Sequence, residues 1–153
     1  MRKIFSLLIL LSLFASCIRI EPGGRISIGK NKAYTAEKTE YDTRIREFHA
    51  MESMALDIFP LDTTVAGKEK SLSEIKDRGI YYWNENISLL EGLKELELNA
   101  EQKAYNKTLK DYCLMQISCY ELMYKAINER SKKYDDEITA KMTNIDKFIA
   151  DNR

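Results

Sequence analysis

Among the side chains able to make or break a covalent bond, the thiol of Cys17 has the most informative surroundings. Arg2 and Lys3 put positive charge ahead of it, Ile4 to Phe14 form an apolar run interrupted only by Ser6 and Ser12, and Ala15 and Ser16 are small. The run falls short of the about 20 residues that a permanent membrane-spanning helix needs. It has the length of the apolar core of a secretory signal. Small residues at positions 15 and 16 let the chain enter a peptidase site, and the Cys17 thiol is the one group in this region that a lipid donor can alkylate. Two other readings stay open: a plain secretory signal cleaved after Cys17, since Ala15 and Cys17 are both small, and an uncleaved hydrophobic N-terminal helix.

Phe14-Ala15-Ser16-Cys17, with the charged start and apolar run before it, resembles the lipobox of bacterial lipoproteins. Phe14 departs from the Leu, Val or Ile usual at its position. The resemblance covers the first seventeen residues and implies that residues 1–16 are removed. Cys17 then carries a diacylglyceryl group and a further N-linked acyl chain such as palmitate. Each buried CH₂ of such chains contributes about 0.8 kcal/mol, so several chains together hold firmly to a membrane. Ile18 stands where some inner-membrane lipoproteins carry a retention Asp, and no acidic run follows. The resemblance therefore implies a bacterial cell-envelope location, lipid-anchored on the periplasmic face of the outer membrane.

Elsewhere reactive groups are sparse. His49 is the single histidine, and with no second His and no Cys nearby it reads as a surface residue, not a metal ligand. Cys113 and Cys119 lie six positions apart, which on one helix is about 9 Å of rise and beyond the roughly 7 Å reach of a disulfide. They read as buried thiols, with Cys119 nearer the flank and able to pair between molecules. Asp135-Asp136-Glu137 reads as the solvated first turn of a helix. No Gly-rich phosphate loop and no nucleophile with a visible base appear. The expectation is no catalytic residue, no metal and no cofactor, and hence no enzyme. Lys plus Arg and Asp plus Glu are 24 each, so there is no pull toward nucleic acid; removing residues 1–16 takes Arg2 and Lys3 away and leaves 22 basic against 24 acidic.

Two further groups invite a functional reading. Asp62-Thr63-Thr64, in a loop, resembles the short pattern used for O-glycosylation of exported proteins in one bacterial lineage, which makes Thr63 a candidate for modification. Tyr82 and Trp83, with Tyr112 and Tyr120 further on, are the aromatic residues able to line a pocket between helices for a small molecule or glycan. The competing reading is that they anchor the core.

The elements that must position these residues are helices. Two Pro, six Gly and 31% charged residues, with long amphipathic runs, point to an all-α antiparallel bundle of three to four helices following a signal peptide and a flexible tether. Residues 17–37, with Pro22, Gly23, Gly24 and Gly29, read as the lipidated N-terminus and tether; 38–153 form the bundle domain. Tyr41, Ile45, Phe48, Met51, Ala55 and Ile58 place a helix over 38–59, stopped by Pro60. Leu72, Ile75, Gly79, Tyr82, Trp83, Leu90 and Leu93 place a second over 69–97, and Gly79 within that stripe predicts close approach of a neighbour. Asn86, beside the stripe, reads as a buried amide that the chain must satisfy with hydrogen bonds.

Asn99 and Gln102 form a capping box that starts the third helix. Its buried face is Tyr105, Leu109, Tyr112, Cys113, Tyr120, Met123 and Ile127, with Gln116 in the middle. From Tyr112 to Tyr124 only Gln116, Ser118 and Glu121 are polar, so this helix needs cover on most sides. Leu114, Met115 and Leu122 are either covered by another helix or form a patch. A fourth helix carries Tyr134, Ile138, Met142, Ile145, Phe148 and Ile149. A break near 128–132, with Ser131 as cap, is the preferred reading; one continuous long helix is the alternative.

Gly79-Ile80-Tyr81-Tyr82-Trp83, Asp111-Tyr112-Cys113 and Tyr120-Glu121-Leu122 together resemble a helical extension on some bacterial rhomboid-type membrane proteins. That resemblance brings no catalytic residues; it implies a small helical module used beside membranes. The expected function is a membrane-anchored envelope lipoprotein whose bundle is a non-enzymatic interaction or structural module with another envelope protein as partner. The alternative is a binding protein for a small molecule or glycan. The pattern leaves the oligomeric state open.

Overall fold

A computed structural model describes residues 32–152, and within them the chain is helical with no β-strand. Helix α1 spans Lys32–Leu56. Helix α2 is assembled from Lys68–Ser73, a π-helical segment Glu74–Ile80 and Tyr81–Gly92, closing in a 3-10 turn at Leu93–Glu95. Helix α3 spans Ala100–Glu129 and α4 spans Asp135–Asp151. No described helix is long and apolar enough to cross a membrane.

Helix α1 begins before position 38, where the apolar period starts. Residues 32–40 are rich in Lys, Ala and Glu, which favour helix without contributing an apolar stripe. The capping box at the start of α3 is present in both directions: Gln102 N donates to Asn99 Oδ1 at 2.8 Å, and Asn99 N donates to Gln102 Oε1 at 3.0 Å. At its other end Arg130 adopts the left-handed conformation, with φ 50° and ψ 42°. Ser131 N donates back to Ala126 O at 3.1 Å. Ser131 Oγ then accepts from Lys133 N, and a short 3-10 turn leads into α4. The third and fourth helices are thus separate. Asp135, Asp136 and Glu137 occupy the first turn of α4, where carboxylates complement the helix dipole.

Hydrogen bonds set the packing directions. Tyr41 Oη donates to Asn106 Oδ1 and Tyr120 Oη donates to the Ala55 carbonyl, and both bonds join residues 65 apart. Helices α1 and α3 therefore run parallel. Helix α2 runs against both: Arg78 pairs with Asp57 beyond α1, and Glu91 with Lys110 on α3. Helix α4 folds back along α3, where Lys141 Nζ donates to Ser118 Oγ at 2.8 Å.

The core lies mainly among α1, α2 and α3, where Phe48, Ala55, Ile75, Trp83, Leu93 and Tyr120 are almost completely enclosed. Met115 is half-buried and Leu122 is buried, so those two positions are covered; Leu114 remains exposed. In the α4 stripe only Ile145 is buried, while Tyr134, Ile138, Met142, Phe148 and Ile149 stay half-covered.

Candidate functional site

Cys17 lies outside the described residues. Thr63 is exposed in the α1–α2 connection, and the loop around it is well held. Asp62 Oδ1 accepts from Thr64 N, Gly67 N donates to Thr64 Oγ1, and Ser71 Oγ both accepts from Asp62 N and donates to Asp62 O. The bonds from Thr64 hold the Asp62 carboxyl below its usual range. A side chain at Gly67 would collide with Asp62, whose Cγ lies 2.0 Å from a Cβ placed there. The loop is therefore folded back on itself, and the Thr63 side chain projects from it to solvent.

Three of the four aromatic candidates converge. Trp83 is fully enclosed, and its ring packs edge-to-face on Tyr112 at 5.3 Å and on Tyr120 at 6.5 Å between centroids. Phe59 adds a further edge-to-face contact to Tyr120 at 6.0 Å. Tyr82 stands apart from this triple, half-buried and edge-to-face on exposed Tyr81 at 5.2 Å. Each ring of the triple thus occupies the face or edge of another, which is the geometry of a core anchor. Helix α2 approaches closely at Gly79, within the π segment: a Cβ there would lie 2.5 Å from Tyr120 Cε2 and 3.2 Å from Ile58 Cδ1. Close approach at Gly79 follows from its place in the apolar stripe; the π winding has no comparable signal in the sequence.

A polar chain crosses the same region. Gln116 Nε2 donates to Tyr112 Oη at 3.1 Å, and both are buried. Burial, and next the Glu52 carboxylate, push the Tyr112 hydroxyl well above its ordinary range. Burial followed by Glu52 likewise raises Tyr105, and raises Cys113 to about 12. Glu52 is half-buried on α1 and lies 2.9 Å from His49 Nδ1. Glu52 is therefore a charged group whose field reaches Tyr105, Tyr112 and Cys113. Its i,i+3 spacing from His49 is the sequence signal that could have marked it. The expected placement of His49, flanking the stripe and partly covered, matches its position.

Cys113 and Cys119 are free thiols, both buried. Burial raises Cys119 to about 11, with Lys141 opposing. Cys119 is buried, with Lys141 of α4 close enough to act on it, so the pairing between molecules that its place near the flank predicts is not open to it. Thiols held protonated and enclosed in this way are inert in redox chemistry. Among the described residues no group of three or more His, Cys, Asp or Glu side chains could hold a metal.

The expectation for Asn86 needs correction. It is completely buried, as read from its place beside the stripe, yet neither Oδ1 nor Nδ2 has a hydrogen-bond partner in the protein. The same holds for Trp83 Nε1. The indole N–H lies near enough to the Tyr120 hydroxyl to oppose the rise that burial causes there, without forming a hydrogen bond to it. Each buried polar atom left unmet costs about 1–3 kcal/mol. Periodicity places a residue on a buried face, but it does not supply the partner.

Comparison of the chain with protein-family models, with characterised proteins and with solved structures finds no match.

Proposed function

We propose that this protein is a membrane-anchored lipoprotein of the bacterial cell envelope, acylated at Cys17, whose helical bundle is a non-enzymatic interaction or structural module. The observation that carries the reading is the order of features before Cys17: positive charge, an apolar run of signal length, two small residues and then the thiol. The bundle is consistent with it. In this reading the acyl chains at Cys17 supply the membrane attachment, and none of the described helices has the length and apolarity to cross a membrane. The partner is another envelope protein, and the periplasmic face of the outer membrane is the proposed location.

Radiolabelled palmitate is expected to enter the wild-type protein and not Cys17→Ser, with the variant released from the membrane fraction. Equal labelling of the two, or an unprocessed N-terminus on the native protein, would end the proposal. Exposure of Thr63 at the α1–α2 loop supports the accompanying reading that its hydroxyl carries a glycan. Intact mass would then fall by the mass of the glycan in Thr63→Ala; identical glycan mass in both proteins would exclude that position.

The small-molecule or glycan pocket is the weaker alternative. Trp83, Tyr112 and Tyr120 fill one another's faces, and this supports a packing role for them.

A further inference from the structure

The least explained feature of the interior is a short polar strip on α2. Trp83 and Asn86 are three residues apart, which puts them on one face of the helix as neighbours. Both are completely enclosed, and between them they present two N–H-bearing nitrogens and one carbonyl oxygen that have no hydrogen-bond partner in the protein. All three atoms are neutral, so the strip suits no ion. The edge-to-face packing of Trp83 on Tyr112 and Tyr120 already fills the surroundings of its ring with aromatic groups.

We propose that the Trp83–Asn86 strip is an internal hydration site, at which bound water accepts from the amide and indole N–H groups and donates to Asn86 Oδ1. Buried waters occur at about one per 27 residues and make two to four hydrogen bonds each, to otherwise unmet polar groups. This strip supplies the unmet groups. Buried polar positions of this kind also select one helix register over its neighbours, because a slip would strand both the side chain and its water.

The test uses the folded wild-type domain, labelled with ¹⁵N. Water-selective NOESY and ROESY spectra are expected to show cross-peaks from water to the Trp83 indole proton and to the Asn86 amide protons. Their signs should be opposite in the two experiments, the signature of a water that tumbles with the protein. Exchange relayed through the nearby Tyr120 hydroxyl is the competing source of such peaks. In Tyr120→Phe the cross-peaks persist if water is bound, and their loss would overturn the proposal. Absence of cross-peaks in the wild type, with the indole and amide protons protected from exchange, would overturn it as well.

Discussion

Helix α3 has two unlike sides. Toward α1 and α2 it presents Tyr112, Gln116 and Tyr120 to a seam containing Trp83, Asn86 and the close approach at Gly79. Toward α4 it offers Ser118 and Cys119 to a helix of whose apolar stripe only Ile145 is buried. The first seam is large, aromatic and studded with polar atoms whose geometry must be right. The second is small and tolerant, and its half-covered side chains leave the fourth helix an accessory layer. Burial of large rings fixes one arrangement; a thin stripe of aliphatic groups contributes stability without demanding a unique fit.

Alkali should separate the two seams most visibly. The thiols of Cys119 and Cys113 are raised from 9.0 to about 11 and about 12. Below about pH 9 both the folded and unfolded chains keep them protonated, and the benefit of burying them is intact. Above it the unfolded chain ionises first, so stability falls as pH climbs toward the folded values. The same sign applies to Tyr41, raised by burial from 10.0 to about 12. Urea midpoints are expected to drop steeply above about pH 9. Alkylation followed by peptide mass mapping should label Cys119 at lower pH than Cys113. Simultaneous labelling would show that the seams open as one.

Truncations give the next largest contrast. Trp83→Ala is expected to cost about 3–5 kcal/mol, against about 2 kcal/mol for Ile145→Ala. Chemical denaturation followed by circular dichroism checks both, and equal losses would erase the distinction between the seams. Gly79→Ala tests the close approach alone. Its methyl group meets the Tyr120 ring at 2.5 Å, so a loss of about 1–3 kcal/mol is expected despite the better helix propensity of Ala. A gain would mean that α2 can move away from Tyr120 freely.

The smallest effect lies at the α3–α4 corner. Arg130 holds a left-handed backbone there, which costs a residue bearing a Cβ about 1–2 kcal/mol. Glycine returns part of that as unfolded-chain freedom, so Arg130→Gly should stabilise by about 0.5–1 kcal/mol. An unchanged or lower melting temperature would contradict the strain at this residue.

Legibility followed the same division. The α3 stripe, the capping box at Asn99 and Gln102, the break near Ser131 and the tight place at Gly79 could be read directly, because each rests on local spacing or local backbone chemistry. The start of α1 was misplaced because its first turns carry helix propensity without an apolar period. The π winding at Glu74–Ile80 has no signal in the local sequence, and Gly79 within it sits against Tyr120 and Ile58. Glu52 was passed over because a carboxylate on a half-exposed face looks ordinary until Tyr112 and Cys113 are brought to it from 60 residues further along the chain.

By itself the sequence determined that the body is helical, which face of each helix turns inward and where the chain changes direction. Those follow from side-chain period, proline and capping, which act over a few residues. Only the tertiary structure decided that α1 and α3 run parallel with a constant offset, that Trp83 is wedged between Tyr112 and Tyr120, and that the Asn86 amide is enclosed without a protein partner. Those depend on which distant surfaces meet, and a hydrogen-bond partner or a ring contact exists only once two helices have settled at one spacing and one register.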